Sequence, residues 1–222
     1  MRRSKDPLRA STTTILAPTL RAMGFRARGS RAFVRVVGDI LQYLDLQPSA
    51  WGSKDFAVNY TSLPLFPPTE HIYLPCGGRV PRGHSPDGWW SAKSHEVADH
   101  SMTEVLERVK DRVEPFFQRT SLLTELCQEL LASSNAHHLL GAACCQARLR
   151  APDALRTTAS ALAAFQRWHV EMPERSWCLD RIAIAERLAE ALASGQPQGL
   201  LDEWRSESLA RLGIDNGAAA QQ

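Results

Sequence analysis

GFRARGSRAFVRVVGDILQYLDLQPSAWGSKDFAVNY, residues 24–60, holds the densest β signal in the chain. Three runs lie inside it, at residues 32–37, 40–46 and 56–60. The first two are rich in β-branched and aromatic side chains and are parted only by Gly38-Asp39. They read as a hairpin with a two-residue turn whose glycine takes positive φ. The third run alternates, with Phe56, Val58 and Tyr60 on one face and Ala57 and Asn59 on the other. One side of the resulting sheet is therefore buried and the other carries polar groups.

Upstream, Leu8, Ile15, Leu16, Leu20 and Met23 recur close to helical spacing and stop at Gly24, which suits a left-handed residue just past a helix end. Pro18 lies inside this run and kinks or restarts the helix. Arg26 and Arg28 then stand at the strand entrance. Downstream, residues 47–52 read as a loop, and Pro64, Pro67 and Pro68 favour an extended connection over a central strand. Residues 71–74 read as a short fourth strand, with Ile72 and Leu74 on one face. Residues 75–90 form a long Gly- and Pro-rich segment ending in Trp89-Trp90, two rings that seek burial.

Ser101 with Glu104 has the spacing of a capping box. Met102, Val105, Leu106, Val109, Val113, Phe116 and Phe117 follow on one face, so this helix lies across the sheet, with Pro115 bending or ending it. Beyond Thr120 the composition turns to Ala, Leu and Arg and only helical patterns remain. The expected architecture is α+β: an N-terminal helix, an antiparallel sheet of four or so strands covered by a helix, then an all-helical C-terminal bundle. The expected division is a sheet domain over 1–119, a helical region over 120–215 and a disordered tail over 216–222.

The chain of 222 residues is 44% apolar, enough for one good core or a core plus a helical annex. Its net charge of +2 is too small to argue for nucleic acid. The basic residues are nevertheless crowded toward the N-terminus: Arg2, Arg3, Lys5, Arg9, Arg21, Arg26, Arg28, Arg31 and Arg35 face only Asp6 there. No apolar run approaches the roughly 18 residues of a membrane span, and no apolar stretch follows Met1-Arg2-Arg3 in the manner of a secretory signal. A cytoplasmic location follows as an expectation, with Cys76, Cys127, Cys144, Cys145 and Cys178 as reduced thiols packed among apolar neighbours.

The order GFRARG, FVRVVGDILQYLDLQPS and DFAVNY, followed by Arg79 and by Trp89-Trp90 ahead of a helix, resembles a bacterial family of domains of unknown function, number 4304. The resemblance covers roughly residues 8–131. Gly24, Phe25, Gln47, Ser49, Phe56 and Asn59 match its pattern, as do Arg79 and Trp89; Tyr60-Thr61 departs from it, where a small residue is expected. The resemblance implies a fold and no reaction.

Catalytic signatures are thin. There is no G-x-S-x-G, no P-loop and no G-x-G-x-x-G. His137 and His138 precede Cys144 and Cys145 by seven residues, a spacing that offers two ligands from one helix face and no more. His71, His84, His95 and His100, and the carboxylates Asp87, Glu96 and Asp99, lack regular spacing. Cys76 beside Gly77-Gly78 is the thiol with the most reactive setting. No catalytic residue, cofactor or metal is assigned.

The constellation that carries a function is polar and aromatic. Tyr43, Asp45 and Gln47 share one face of the second run, and Asn59 joins them if the registers match. Ser49, Trp51, Arg79, Trp89 and Trp90 can close over this strip from loops. Two readings are open: a binding surface that uses amide donors and acceptors beside flat rings, or amides that tie down loop backbone under tryptophans that cap the core. The leading expectation is a non-catalytic binding protein engaging another protein through this surface, in an immunity or accessory role, with the oligomeric state open. The alternatives are a small-ligand binder or enzyme built around Gln47, Asn59 and Arg79, and nucleic-acid binding through Arg26, Arg28, Arg31 and Arg35.

Overall fold

The computed structural model describes residues 5–83 and 88–214. Arg2, Arg3, His84, Asp87 and the tail over 216–222, on which sequence expectations were placed, lie outside them. Among the described residues, six strands form one sheet and seven helices surround or follow it, in the expected α+β order.

Helix α1, residues 7–22, is capped by Asp6, whose carboxylate accepts from the N–H groups of Leu8 and Arg9. Pro18 does not end it. The turn ahead of the proline, Thr12–Leu16, widens to π-helical spacing and the α-helix resumes at Ala17–Ala22. Proline cannot donate to the ladder and its ring crowds the carbonyl four residues back, so a widened turn is a natural accommodation. Ser11, Thr12, Thr13 and Thr14 each donate their hydroxyl to the carbonyl four residues earlier. The helix stops as the sequence predicts: Gly24 has φ of 86°, its N–H reaches the Arg21 carbonyl, and the Phe25 N–H reaches Leu20.

The strands are β1 Arg26–Arg28, β2 Ala32–Val37, β3 Ile40–Pro48, β4 Asp55–Pro64, β5 Cys76–Arg79 and β6 Trp89–Ser91. Their order is β1-β2-β3-β4-β5, and β6 pairs with the start of β4. Gly38-Asp39 makes the expected two-residue turn, Gly38 taking φ of 57°.

Two expectations fail here. Residues 71–74 form no strand: Thr69 donates its hydroxyl to the His71 carbonyl at 2.7 Å, and Leu74 is 47% exposed. Four alternating residues without a neighbouring strand do not make a ladder. Instead β5 and β6 fill the sheet edge, from a stretch that reads as loop because of its glycines. Those glycines are what the strand needs. Gly77 has φ of 111°, and a β-carbon there would overlap the Tyr60 carbonyl.

Helix α2, residues 95–119, begins earlier than Ser101. Ser94 is its cap, its hydroxyl accepting from the Val97 N–H, and the buried Ser101 instead donates to the Ser91 carbonyl at 2.9 Å. Glu104 meets Arg82 and His100 rather than closing a capping box. Pro115 is again preceded by a widened turn, Val109–Val113, and the helix continues through Glu114–Arg119.

The chain divides into two units. The first comprises Met1–Val36, Leu41–Ser62 and Gly77–Arg119; the second comprises Val37–Ile40, Leu63–Cys76 and Thr120–Gln222. In the first, Phe25 packs on Phe117, Tyr60 meets Phe116 and Phe117, and Phe56 stacks with Trp90. Gln42 ties the sheet to the helix, donating to the Phe117 carbonyl and accepting from Arg35, each at 2.7 Å. The second unit holds α3 Leu123–Leu131, α4 Ala136–Arg148, α5 Ala154–Glu171, α6 Trp177–Ala193 and α7 Pro197–Arg211. Within it Arg148 is a hub. It pairs with Asp39 at 3.0 Å and Asp202 at 2.6 Å, and it lies over the Phe66 ring. Arg205 also pairs with Asp39, at 3.1 Å.

Candidate functional site

Alternation along β3 puts Tyr43, Asp45 and Gln47 on the face away from Gln42, and Asn59 of β4 joins them. Asn59 is 7% exposed, and its amide nitrogen donates to Gln47 Oε1 at 3.0 Å. The same side chain hydrogen-bonds Asp45. Its oxygen takes a long contact of 3.5 Å from Arg79 Nε, and Arg79 Nη2 lies 3.4 Å from Gln47 Oε1. Both donors and the acceptor of Asn59 are thus engaged.

Arg79 reaches this position because β5 runs beside β4; the Val80 N–H bonds the Val58 carbonyl. Its guanidinium lies over the Trp89 ring, 4.9 Å from the centroid. Trp89 is opposite Ala57 in the β4–β6 register and so shares the face of Asn59. Trp90 is opposite Phe56 on the other face, 1% exposed, and belongs to the core rather than to the polar strip. Ser49 sits in the β3–β4 turn, where its hydroxyl accepts from the Trp51 N–H. Trp51 is 90% exposed.

The electrostatics follow from burial. Asp45 is held above the usual carboxylate range by desolvation, opposed by the Asn59 hydrogen bond and the Arg79 charge. The Tyr43 phenol is pushed up to about 12, first by burial and then by Asp45, against the pull of Arg28. Arg28 is the member of this face that sequence reasoning assigned to the basic terminus instead; only the β1–β2 register brings it in. Arg35, grouped with it in the sequence, is removed from any surface patch. It is half-buried, lies 4.6 Å over Phe25, and donates to the Met23 carbonyl and to Gln42.

Other candidate chemistry is muted. Cys76 is buried and its thiol is pushed up to about 12 by desolvation, with Glu129 adding to it. Burial also raises Cys144 and Cys145, so neither offers a ready thiolate. Sequence reasoning missed a second concavity in the helical unit, lined by Tyr73, His137, Trp177 and Arg181 among others. Its residues come from four distant stretches, and no local spacing announces it.

No curated protein and no solved structure matches this chain. A family model does: residues 16–119 match the Domain of unknown function (DUF4304). This segment contains every strand of the described residues and the whole Asn59–Arg79 network.

Proposed function

We propose that the protein is a non-catalytic binding protein whose sheet face, with Tyr43, Asp45, Gln47, Asn59, Arg79 and Trp89, docks an acidic segment of another protein. Trp51 supplies the apolar anchor beside it. The observation that carries this reading is the pairing of a braced arginine with an exposed indole. Arg79 is fixed between two amides and the Trp89 ring, while Trp51 stands in solvent with no stabilising burial. Trp and Arg held ready in this way are the residue types that dominate binding hot spots. Acidic character in the partner suits a face on which the Arg28 charge bears on Tyr43 and the Arg79 charge on Asp45.

The alternative of a small-ligand or catalytic site at Gln47, Asn59 and Arg79 gains less support, because the hydrogen-bonding capacity of Asn59 is consumed within the network. Nucleic-acid binding loses Arg35 to the core, and Arg31 lies 3.6 Å from Asp6. A cytoplasmic setting is part of the proposal and is supported by five unpaired, buried cysteines. No helix among the described residues is long and apolar enough to cross a membrane.

The test is site-specific photocrosslinking in cells, with the reactive side chain at position 51 and, as a control, at the exposed position 170. The expected result is a discrete protein adduct from position 51 that disappears in the Arg79→Ala background, with none from position 170. Absence of an adduct at 51, or one indifferent to Arg79→Ala, overturns the proposal.

A further inference from the structure

The helical unit contains a cleft of about 710 Å³ between the 68–73 segment and helices α4, α6 and α7. That volume falls within the range of small-molecule sites, roughly 300–1,000 Å³. One end is aromatic. The His137 ring lies 6.3 Å from Tyr73 and 5.3 Å from Trp177, tilted by 31° to the latter. Ile184 and Ala183 extend this wall along α6.

Three arginines line the cleft, and their situations differ. Arg211 is taken up by Glu70 at 2.8 Å and by Glu207, and Arg187 pairs with Glu203 at 3.2 Å. Arg181 is half-buried and meets no carboxylate among the described residues; one Nη1 donates to the Pro68 carbonyl at 3.3 Å. Its positive charge bears on both Tyr73 and His137, so the cation sits at the edge of the aromatic wall. Desolvation, aided by Arg181 and His138, lowers His137 to about 4, which leaves a neutral ring rather than a second cation. The Tyr73 hydroxyl and the Trp177 indole N–H have no hydrogen bond to the described residues, and both border the cleft. Asp180, the remaining carboxylate of the lining, is exposed.

The geometry points to a binding site for a small aromatic carboxylate, its ring against Tyr73, His137 and Trp177 and its carboxylate on the Arg181 guanidinium. A half-desolvated arginine with donors in hand suits a carboxylate, which it engages through paired N–H groups. Rings with polar edges suit a flat apolar body that also accepts or donates a hydrogen bond. A cationic ligand meets repulsion from Arg181, and an acid without a ring leaves the aromatic wall unfilled. Of its lining only residues 68–73 fall within the family segment, and the site shares no residue with the docking surface proposed above.

Isothermal titration of the full chain tests it, with indole-3-acetate and 4-hydroxyphenylacetate as probes. Indole-3-acetamide and acetate serve as comparators lacking the charge and the ring. The expected result is saturable one-to-one binding of at least one aromatic carboxylate. Affinity should fall about tenfold or more for the amide and for Arg181→Gln. Arg181 is partly exposed, so Arg181→Gln is expected to melt as the parent does; should it not fold, the carboxylate-against-amide comparison on the parent decides. Silence from both carboxylates at millimolar concentration, equal binding of the amide, or undiminished binding to folded Arg181→Gln overturns the site.

Discussion

Asn59 decides what its face of the sheet presents. It is nearly buried, and its single amide serves Gln47, Asp45 and Arg79 at once. Replacing it by alanine strands the half-buried Asp45 carboxylate and loosens Arg79. Asn59→Ala should therefore destabilise the protein by about 1–3 kcal/mol, measured by urea denaturation. The strip of Tyr43, Asp45, Gln47 and Asn59 could be read from alternation alone, since each strand has period two. The tryptophans could not. Neighbours in sequence must face opposite ways on a strand, so one of Trp89 and Trp90 had to enter the core, and only the register with Ala57 and Phe56 says which.

His137 supports a second residue-level prediction. Its folded value of about 4 lies below the ordinary 6.5, chiefly through desolvation, so the unfolded chain binds the proton more readily. The stabilising contribution is full above the unfolded value and is lost as pH falls through the folded one. After discounting for partial exposure it amounts to on the order of 1–2 kcal/mol. Imidazole resonances followed by NMR should show His137 titrating near 4, and His137→Gln should flatten the decline in stability between pH 6.5 and 4.

At the level of elements, glycine and serine misdirect a reader for opposite reasons. Gly77 and Gly78 suggest a loop, yet β5 needs Gly77 because its backbone passes too close to Tyr60 for any β-carbon. Gly38, in contrast, faces open space and needs only its positive φ. Gly77→Ala should thus cost several times more than Gly38→Ala, for which the backbone penalty alone is about 1 kcal/mol; denaturant midpoints of the two variants make the comparison. Ser101 has the spacing of a cap, but Ser94 opens the helix, and the later serine spends its hydroxyl on the Ser91 carbonyl. Spacing alone cannot rank two such serines, because the choice depends on where β6 ends. The hairpin and the Gly24-Phe25 helix stop were legible because their chemistry is local.

Across the whole molecule the five thiols share one condition: all are buried and unpaired. An aromatic disulfide reagent should label none of them promptly in the native protein and all five once it is unfolded. Rapid labelling of Cys76 in the folded state would contradict the burial described here. Sequence patterning conveyed the α+β order and the all-helical second half. It could not convey the cleft at Arg181, whose walls come from positions about a hundred residues apart.

Asp39 and residues 63–76 are assigned to the helical unit although they lie inside the family segment in sequence. Asp39 is clasped by Arg148 and Arg205, and Leu63, Leu65 and Phe66 are sealed from water. Severing the polypeptide after Arg119 would leave that carboxylate without its two guanidinium partners and turn those three side chains toward solvent. A fragment spanning 16–119 should accordingly express as an adhesive, poorly soluble species. Residues 37–40 and 63–76 thus belong to the same compact unit as the C-terminal helices.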